Sequence, residues 1–196
     1  MRVFLGITGA SDAPYAARLL EGLVAAECEV GICASGSGAE VIATELYGDA
    51  GLSRDEVLAR FVEGAGEAIT LYDERDWRSP YASGSARVDA YVICPCSMST
   101  LATIASGAMQ NPIHRAASVA LKEERRLILM PRETPLSLIH LESMATAKRA
   151  GATLLFLAPG FYGRAESVGD LVDFMVSRCL DQLGLENALA PRWGES

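Results

Sequence analysis

The chain has 196 residues, of which 50% are hydrophobic, and a formal net charge of −8 at pH 7. This length suits one sizeable domain, and the acidic balance disfavours nucleic acids, whose binding needs clustered Lys and Arg. Charges or glycines interrupt every apolar stretch before it reaches the roughly 20 residues of a membrane helix. The N-terminus runs directly into a strand-like segment at 3–7 without a separate leader. We therefore expect a single domain over residues 1–196, located in the cytoplasm and without membrane contact.

The cysteines indicate a reducing compartment. Five of them, an odd number, are scattered through apolar segments, which favours buried free thiols over a disulfide framework. Cys94 and Cys96 flank Pro95, but a structural zinc site needs about four ligands, and the only histidines are His114 and His140. We expect no metal.

Short apolar runs alternate with longer amphipathic segments along the chain. The apolar runs are mostly continuous, which predicts strands with both faces buried at 3–7, 29–34, 68–72, 88–94, 126–130 and 152–158. The amphipathic segments predict helices at 13–26, 37–47, 53–64, 97–107, 112–125, 137–150 and 167–183. Two of these helices begin with capping-box patterns, at Ser53 and Ser167. The alternation predicts a doubly wound α/β fold, Rossmann-like or flavodoxin-like, with a mostly parallel sheet.

Two segments lie outside this alternation. Residues 73–86 form the one long loop candidate, whose length suggests a function or an oligomer contact. The tail 184–196 contains Trp193, which would be unusual in free chain because a tryptophan normally buries area. We expect the tail to pack on a neighbouring subunit.

Ligands of such folds bind outside the carboxyl ends of the strands, so the residues directly after each strand are the binding candidates. After the first strand, the small residues at 6–11 place backbone N–H groups at a helix start, which suits an anion or a flat ring. They match neither the dinucleotide-binding motif nor the P-loop, which disfavours a plain NAD or ATP site. Ser35 follows the second strand, and Ser97 to Thr100 open a helix after the fourth. Two neutral anion sites of this kind suit a phosphate monoester such as FMN, although each serine could serve only as a helix N-cap.

Charged and aromatic residues follow the last two strands. Arg132 could hold a phosphate and Glu133 could act as an acid or base, or the two could form an ion pair with each other or with a helix end. Tyr162 lies in a Gly/Pro loop, where its phenol could bind a second anion. Arg115 and Lys122 are seven residues apart on one predicted helix, so they could share an anion or belong to a solvated basic face.

The chain resembles the UbiX-like flavin prenyltransferases in six strings that follow the same order over nearly its whole length: GITGAS, ICPCSMSTLATIASG, RAASVALKEERRLIL, MPRETPLS with IHLE, PGFYGR and PRWGE. The resemblance implies a Rossmann-like subunit of a dodecamer, with reduced FMN as a substrate and no metal. Dimethylallyl monophosphate or pyrophosphate is the implied prenyl donor. The dimethylallyl group would join flavin N5 and then C6, and the prenylated FMN would serve a UbiD-type decarboxylase.

The resemblance also implies roles for individual residues. FMN contacts are expected from Gly9, Ala10, Ser11, Ser35, Ser97, Met98, Ser99, Thr100 and Arg132. The prenyl phosphate is expected to contact Arg115, Lys122, Glu133, Tyr162 and Arg178. Glu133 is the expected proton donor to the phosphate, with Arg115 and Lys122 holding its charge. Ser11 with Glu45 is expected to handle protons near flavin N5. The faces of Trp77 and Trp193 are expected to stabilise an allylic cation.

Three residues depart from the family pattern. The family usually has glycine at the position of Asp12, commonly lysine at that of Gly36, and aspartate at that of Ser118. Asp12 adds a negative charge beside the site and Gly36 removes a positive one. We therefore expect the affinity for phosphate or the choice of donor to differ.

Two other functions remain open at this point. A flavin-dependent cysteine decarboxylase would use the same kind of FMN site. Such enzymes usually carry an early catalytic histidine and a P-A-S-A-N-T-like string, whereas the first histidine here is His114 and the string reads P-C-S-M-S-T. A non-catalytic flavin carrier or assembly subunit would keep Glu133, Lys122 and Tyr162 for structural reasons.

Overall fold

The structure is a computed structural model that describes residues 1–161, 165–192 and 194. The strands are β1 (Arg2–Ile7), β2 (Glu29–Ala34), β3 (Ile69–Leu71), β4 (Ala90–Cys96), β5 (Arg126–Pro131) and β6 (Thr153–Leu154). The α-helices are α1 (Ala13–Ala25), α2 (Gly36–Tyr47), α3 (Arg54–Phe61), α4 (Met98–Ala105), α5 (Pro112–Lys122), α6 (Leu138–Arg149) and α7 (Val168–Leu183). A short 3-10 helix spans Pro80–Ala82.

The strands form one parallel sheet in the order β3-β2-β1-β4-β5-β6. This is the strand order of a doubly wound Rossmann fold, so the predicted fold class is confirmed. The direction in which successive strands are added to the sheet reverses at β1, which pairs with β2 on one side and β4 on the other. Ligands of such sheets bind in the crevice at this reversal, outside the carboxyl ends of β1 and β4.

The sheet is buried on both faces because successive side chains of each strand enter two different cores. Leu5 and Ile32 belong to the core that contains the buried residues of α1, α2, α3 and α7. Phe4 and Ile93 belong to the opposite core, with residues of α4 and α5 and with Ala147 of α6. Burial of each large side chain contributes about 1.5 to 3 kcal/mol. The continuous apolar runs of the sequence are therefore what a two-sided sheet requires.

Side chains cap the starts of several helices. The capping boxes predicted at Ser53 with Glu56 and at Ser167 with Asp170 are both confirmed. Ser137 forms a further box with His140, which the sequence did not predict because the third helical residue of such a box is usually Glu or Gln. Across the described residues, no helix combines the length and apolarity needed to cross a bilayer.

The last strand is shorter than its apolar run. A strand was predicted over 152–158, but β6 contains only Thr153 and Leu154. Beyond it, Leu155 N–H still donates to Leu129 O at 2.9 Å, and Leu157 N–H donates to Pro131 O at 3.0 Å. The chain thus follows the edge of β5 with irregular geometry, because an edge segment has a sheet neighbour on one side only.

The long loop 73–86 is anchored by one buried aromatic residue. Tyr81 is 1% exposed and packs on Phe4 with a centroid distance of 5.2 Å. A Cβ on Gly31 would lie 2.0 Å from the Tyr81 ring, so β2 needs a glycine at the position that the ring covers. Trp77, in the same loop, is 50% exposed.

The start of the C-terminal tail packs on its own subunit. Leu185 and Leu189 contact the core beside α7, and Arg192 pairs with Asp181 at 2.9 Å. Trp193 lies outside the described residues, and contact of the tail with a neighbouring subunit stays a prediction.

All five cysteines are free and buried, as predicted: Cys28, Cys33, Cys94, Cys96 and Cys179. Burial raises the pKa of the Cys33 and Cys179 thiols to about 12. It also raises the pKa of Cys94 and Cys96, which lie in β4 next to the crevice. The neutral thiol is therefore the stable form of these side chains.

Candidate functional site

One buried hydroxyl ties together the two strands that border the crevice. Thr8, the first residue after β1, is 2% exposed. Its N–H and its Oγ1 donate to Pro95 O at 3.2 and 2.9 Å, and Oγ1 accepts the Ser97 N–H at 2.8 Å. Thr8 was not among the predicted site residues, although its hydroxyl directly follows a strand.

The start of α4 lies beside this bridge. Ser97 is the N-cap, and its Oγ accepts the Thr100 N–H at 3.2 Å and donates to Thr100 Oγ1 at 3.0 Å. The N–H groups of Met98 and Ser99 have no intrahelical acceptor, as in the first turn of any helix. The predicted N-cap role and a binding role are therefore compatible here, because the cap leaves two N–H groups for an anion.

A carboxylate covers the start of α1. Glu45 of α2 accepts the N–H groups of Asp12 and Ala13, each at 2.8 Å, and the Ser11 hydroxyl at 2.5 Å. Ser11 therefore contacts Glu45, as its predicted role in proton transfer requires. The N-cap of α1 is Asp12 and not Ser11, and the Asp12 side chain makes no capping hydrogen bond.

A second carboxylate covers the start of α2. Glu74, from the long loop, accepts the Gly36 N–H at 2.8 Å, while Ser35 Oγ accepts the Gly38 N–H at 3.0 Å. The prediction of a neutral anion site at the start of this helix was wrong. Glu74, which is far from Gly36 in the sequence, brings a carboxylate to it. The α4 start carries hydroxyls, and no carboxylate of the described residues contacts it, so it is the best anion site of the three.

The turn after β1 lies directly against α2. Ala10 N–H donates to Thr8 O at 2.9 Å, which makes the turn tight. A Cβ on Gly9 would lie 2.4 Å from Ser37 Oγ, so only glycine allows this approach. The turn at Gly9 and Ala10 therefore lies directly beside the start of α2.

Arg132 follows β5 and faces the acid at the start of α1. Its Nε lies 3.8 Å from Asp12 Oδ2, and the two side chains are 35% and 29% exposed. This contact replaces the ion pair with Glu133 that the sequence left open. Burial raises the pKa of Asp12, Arg132 lowers it, and Glu45 raises it, with a net upward shift.

Glu133 is turned toward its own backbone. Its Oε1 accepts the Thr134 N–H at 3.0 Å, and the side chain is half-buried at the carboxyl end of β5. One carboxylate oxygen is thereby held, and the other remains for a ligand. The turn places Glu133 next to Arg132, on the edge of the sheet that carries the α4 start.

Two further predicted cations, Arg115 and Lys122, contact other segments of the subunit. Arg115 Nε donates to Ala82 O at 3.0 Å. Lys122 ends α5 and pairs with Glu123 beside Gly84, in the segment that leads into β4. Lys122 therefore lies at the amino end of the sheet. The length of β5, about 17 Å, separates that end from Arg132.

Arg178 also lies toward the amino end of the sheet. It pairs with Asp181 at 3.1 Å, near the end of α7, where Leu183 O accepts a hydrogen bond from Arg126 at the start of β5. Ser118 is half-buried on α5, between Arg115 and Lys122. Tyr162 lies outside the described residues.

The basic run after α5 is only partly solvated. Arg125 donates to Tyr91 Oη and to Gly84 O, and Arg126 donates to Leu183 O. Both arginines thus hold segments of the same subunit together. Within the described part of the chain, no group of three or more His, Cys, Asp or Glu side chains is arranged to hold a metal ion.

Known proteins match this chain over its full length. The family model described as Flavoprotein matches residues 1–180. Flavin prenyltransferase UbiX of Pseudomonas aeruginosa is 47% identical over 199 aligned residues, which cover 99% of this chain and 94% of that protein.

Solved structures match the fold closely. AnUbiX (PadA1), solved in complex with FMN and dimethylallyl pyrophosphate, has a TM-score of 0.88 at 36% identity and covers 100% of this chain and 98% of its own. The dodecameric FMN-dependent UbiX-like decarboxylase of Escherichia coli O157:H7 has a TM-score of 0.87 at 38% identity and covers 98% of this chain and 99% of its own. The peptidyl-cysteine decarboxylase EpiD, at 15% identity and a TM-score of 0.60, shares the fold alone.

The family match spans nearly the whole chain, and the identity to a UbiX protein is high over its full length. The chain therefore belongs to the Flavoprotein family and, within it, to the UbiX-like flavin prenyltransferases.

Proposed function

We propose that this enzyme transfers a dimethylallyl group from dimethylallyl phosphate to N5 and C6 of reduced FMN. The observation that carries the proposal is the pairing of two features on one edge of the sheet. A hydroxyl-rich helix start at the strand reversal suits a bound phosphate monoester, and the Arg132–Glu133 turn lies at the end of the strand beside it. The likeness to AnUbiX, solved with FMN and dimethylallyl pyrophosphate, supports the same two ligands.

The residues present fit FMN. The N–H groups of Met98 and Ser99, with the hydroxyls of Ser97, Ser99 and Thr100, would hold its phosphate. The backbone of Gly9 and Ala10 would lie against the flavin, with Ser11, Ser35 and Arg132 as its polar contacts. Bound FMN supplies the nucleophilic N5 and C6, and the protein supplies orientation and proton transfer.

Glu133 and Ser11 are the proton-handling groups of the proposal. In the transfer, the allylic C–O bond of the donor breaks and its electron pair leaves on the phosphate. Glu133 gives that phosphate a proton, and Arg132 beside it favours the developing negative charge. Ser11, whose hydroxyl donates a hydrogen bond to Glu45, can pass a proton from the region of N5 to that carboxylate.

Among the described residues, the acids around the crevice outnumber the predicted cations available to two phosphate-bearing ligands. Asp12, Glu45, Glu74 and Glu133 surround the crevice, where Arg132 is the predicted cation that the subunit supplies. Lys122 and Arg178 lie toward the opposite end of the sheet, and Arg115 binds Ala82 O of the long loop. We propose that neighbouring subunits of a homo-oligomer bring at least Lys122 to the crevice, as the dodecameric relative from Escherichia coli supports.

The product, prenylated FMN, is proposed to leave the enzyme and serve a UbiD-type decarboxylase. The five free cysteines support the expectation of a reducing compartment such as the cytoplasm. A cysteine decarboxylase is not favoured, since its structural likeness extends to the fold alone.

The test is an anaerobic reaction of the purified protein with reduced FMN and dimethylallyl monophosphate or pyrophosphate, followed by mass spectrometry of the extracted flavin. A flavin heavier by one dimethylallyl unit is expected. Glu133→Gln should lower the rate by about 10²-fold or more, as for loss of a general acid, while the matched control Glu63→Gln, in the exposed turn after α3, should not. Binding of FMN with unmodified flavin for both donors would contradict the proposal and favour a carrier.

A further inference from the structure

Asp12 adopts a backbone conformation that is unfavourable for a residue with a side chain. Its φ is 95° and its ψ is 35°, in the left-handed region that glycine adopts readily. Aspartate tolerates this region better than most residues, but at a cost in free energy. Such strain at a binding crevice points to a role for the side chain that offsets it.

The common role of aspartate at this position is absent. An N-cap aspartate normally accepts an N–H of the first helical turn, and here the Asp12 carboxylate accepts none. Glu45 instead binds the N–H groups of Asp12 and Ala13. Helix α1 is therefore capped without the Asp12 side chain.

The Asp12 carboxylate is directed to Arg132. The distance of 3.8 Å from Oδ2 to Nε is beyond hydrogen-bond range, and both side chains are partly open to solvent. The other acids nearby have their own partners, since Glu45 binds Ser11 and the α1 start, and Glu133 binds Thr134 N–H. Burial raises the pKa of Asp12, and Arg132 offsets this shift only in part.

We propose that Asp12 is a specificity-determining residue, whose carboxylate competes with the donor phosphate for Arg132 and disfavours pyrophosphate relative to monophosphate donors. This inference rests on the proposed function. Repulsion between charges grows with the charge of each partner, and a monoester phosphate carries a charge of about −2 at neutral pH, whereas the pyrophosphate carries about one more. The same carboxylate therefore costs the pyrophosphate donor more binding free energy.

The test measures donor binding without turnover. The full-length oligomer is loaded with oxidised FMN and titrated calorimetrically with dimethylallyl phosphate and with dimethylallyl pyrophosphate. Asp12→Asn removes the charge at nearly constant size, and Asp12→Gly removes it together with the backbone strain. Asp55→Asn is the matched control, because Asp55 lies at the exposed start of α3.

Both Asp12 variants should bind the monophosphate about threefold and the pyrophosphate about fivefold more tightly than the unmodified protein, as expected for loss of repulsion by a partly exposed charge. The control should bind both donors as before. Equal tightening for the two donors, or none, would overturn the proposal.

The flavin assay keeps this inference separate from the proposed function. If the unmodified protein binds both donors but yields no prenylated flavin, the proposed function fails, while the affinity ratio still decides the role of Asp12. If it binds neither donor, both are overturned. Should Asp12→Asn fail to load FMN, Asp12→Gly decides the question, because glycine is the residue that this backbone conformation favours.

Discussion

Thr8 holds the crevice together through a single side chain. Thr8→Val keeps its shape but loses two hydrogen bonds, to Pro95 O and from Ser97 N–H. We expect a loss of about 1 to 3 kcal/mol in the free energy of unfolding, because a buried N–H is left without a partner. FMN affinity should fall as well, since the start of α4 is no longer fixed. Urea unfolding and fluorescence titration with FMN measure the two effects.

Thr146→Val is the control for this change. Thr146 Oγ1 donates to Glu142 O within α6, away from the crevice. If both variants lost the same stability and bound FMN equally well, Thr8 would have no special role in the site.

Single residues also show how far sequence reasoning reaches. Ser97 and Arg132 could be predicted, because each follows an apolar run and so falls at a strand end. The contacts of Asp12 with Arg132 and of Glu74 with Gly36 could not, because they join segments tens of residues apart. The geometry of these contacts depends on how the helices pack on the sheet, which no local sequence pattern predicts.

At the scale of elements, the long loop is attached to the sheet by Tyr81 over Gly31. Gly31→Ala places a methyl group where the ring lies, so the ring must move away from Phe4. We expect a loss of about 1 to 3 kcal/mol in the free energy of unfolding, typical of overpacking, with faster proteolysis of 73–86. Gly169→Ala, at an exposed site on α7 with room for a methyl group, should be neutral or stabilising. Equal stability of the two variants would contradict this packing.

The elements themselves were largely predictable, because a sheet covered on both faces needs continuous apolar strands with amphipathic helices between them. The apolar pattern fails at β6, where apolarity continues to Ala158 but regular pairing ends at Leu154. The hydrophobicity of a segment indicates burial, but it does not indicate whether a segment at the sheet edge keeps strand geometry.

At the scale of the whole molecule, the position of Lys122 predicts complementation between subunits. Glu133→Gln and Lys122→Ala should each be inactive alone, because each lacks one part of the site. Co-expressed in equal amounts, they should recover about a quarter of the unmodified activity, since random mixing joins two intact parts at one interface in four. The rate of prenylated-flavin formation by oligomers carrying both purification tags measures this recovery.

A second mixture is the control. Glu133→Gln and Arg132→Ala affect the same part of one subunit, so no mixture of the two restores an intact crevice. If the first mixture stayed as inactive as the second, Lys122 would act within its own subunit or not at all. The sequence could not show whether Lys122 acts in its own subunit or in a neighbouring one. The seven-residue spacing from Arg115 to Lys122 on α5 is the same in both cases.

The buried cysteines have a consequence for work with a ligand that is easily oxidised. A thiol reacts as its thiolate, and burial leaves almost none of that form at neutral pH, even for Cys94 and Cys96 beside the crevice. Peroxide that forms when reduced flavin meets air therefore finds no ready thiol target in these cysteines. Alkylating reagents should label the native chain slowly and the unfolded chain at all five positions, so thiol labelling reports folding independently of the flavin colour.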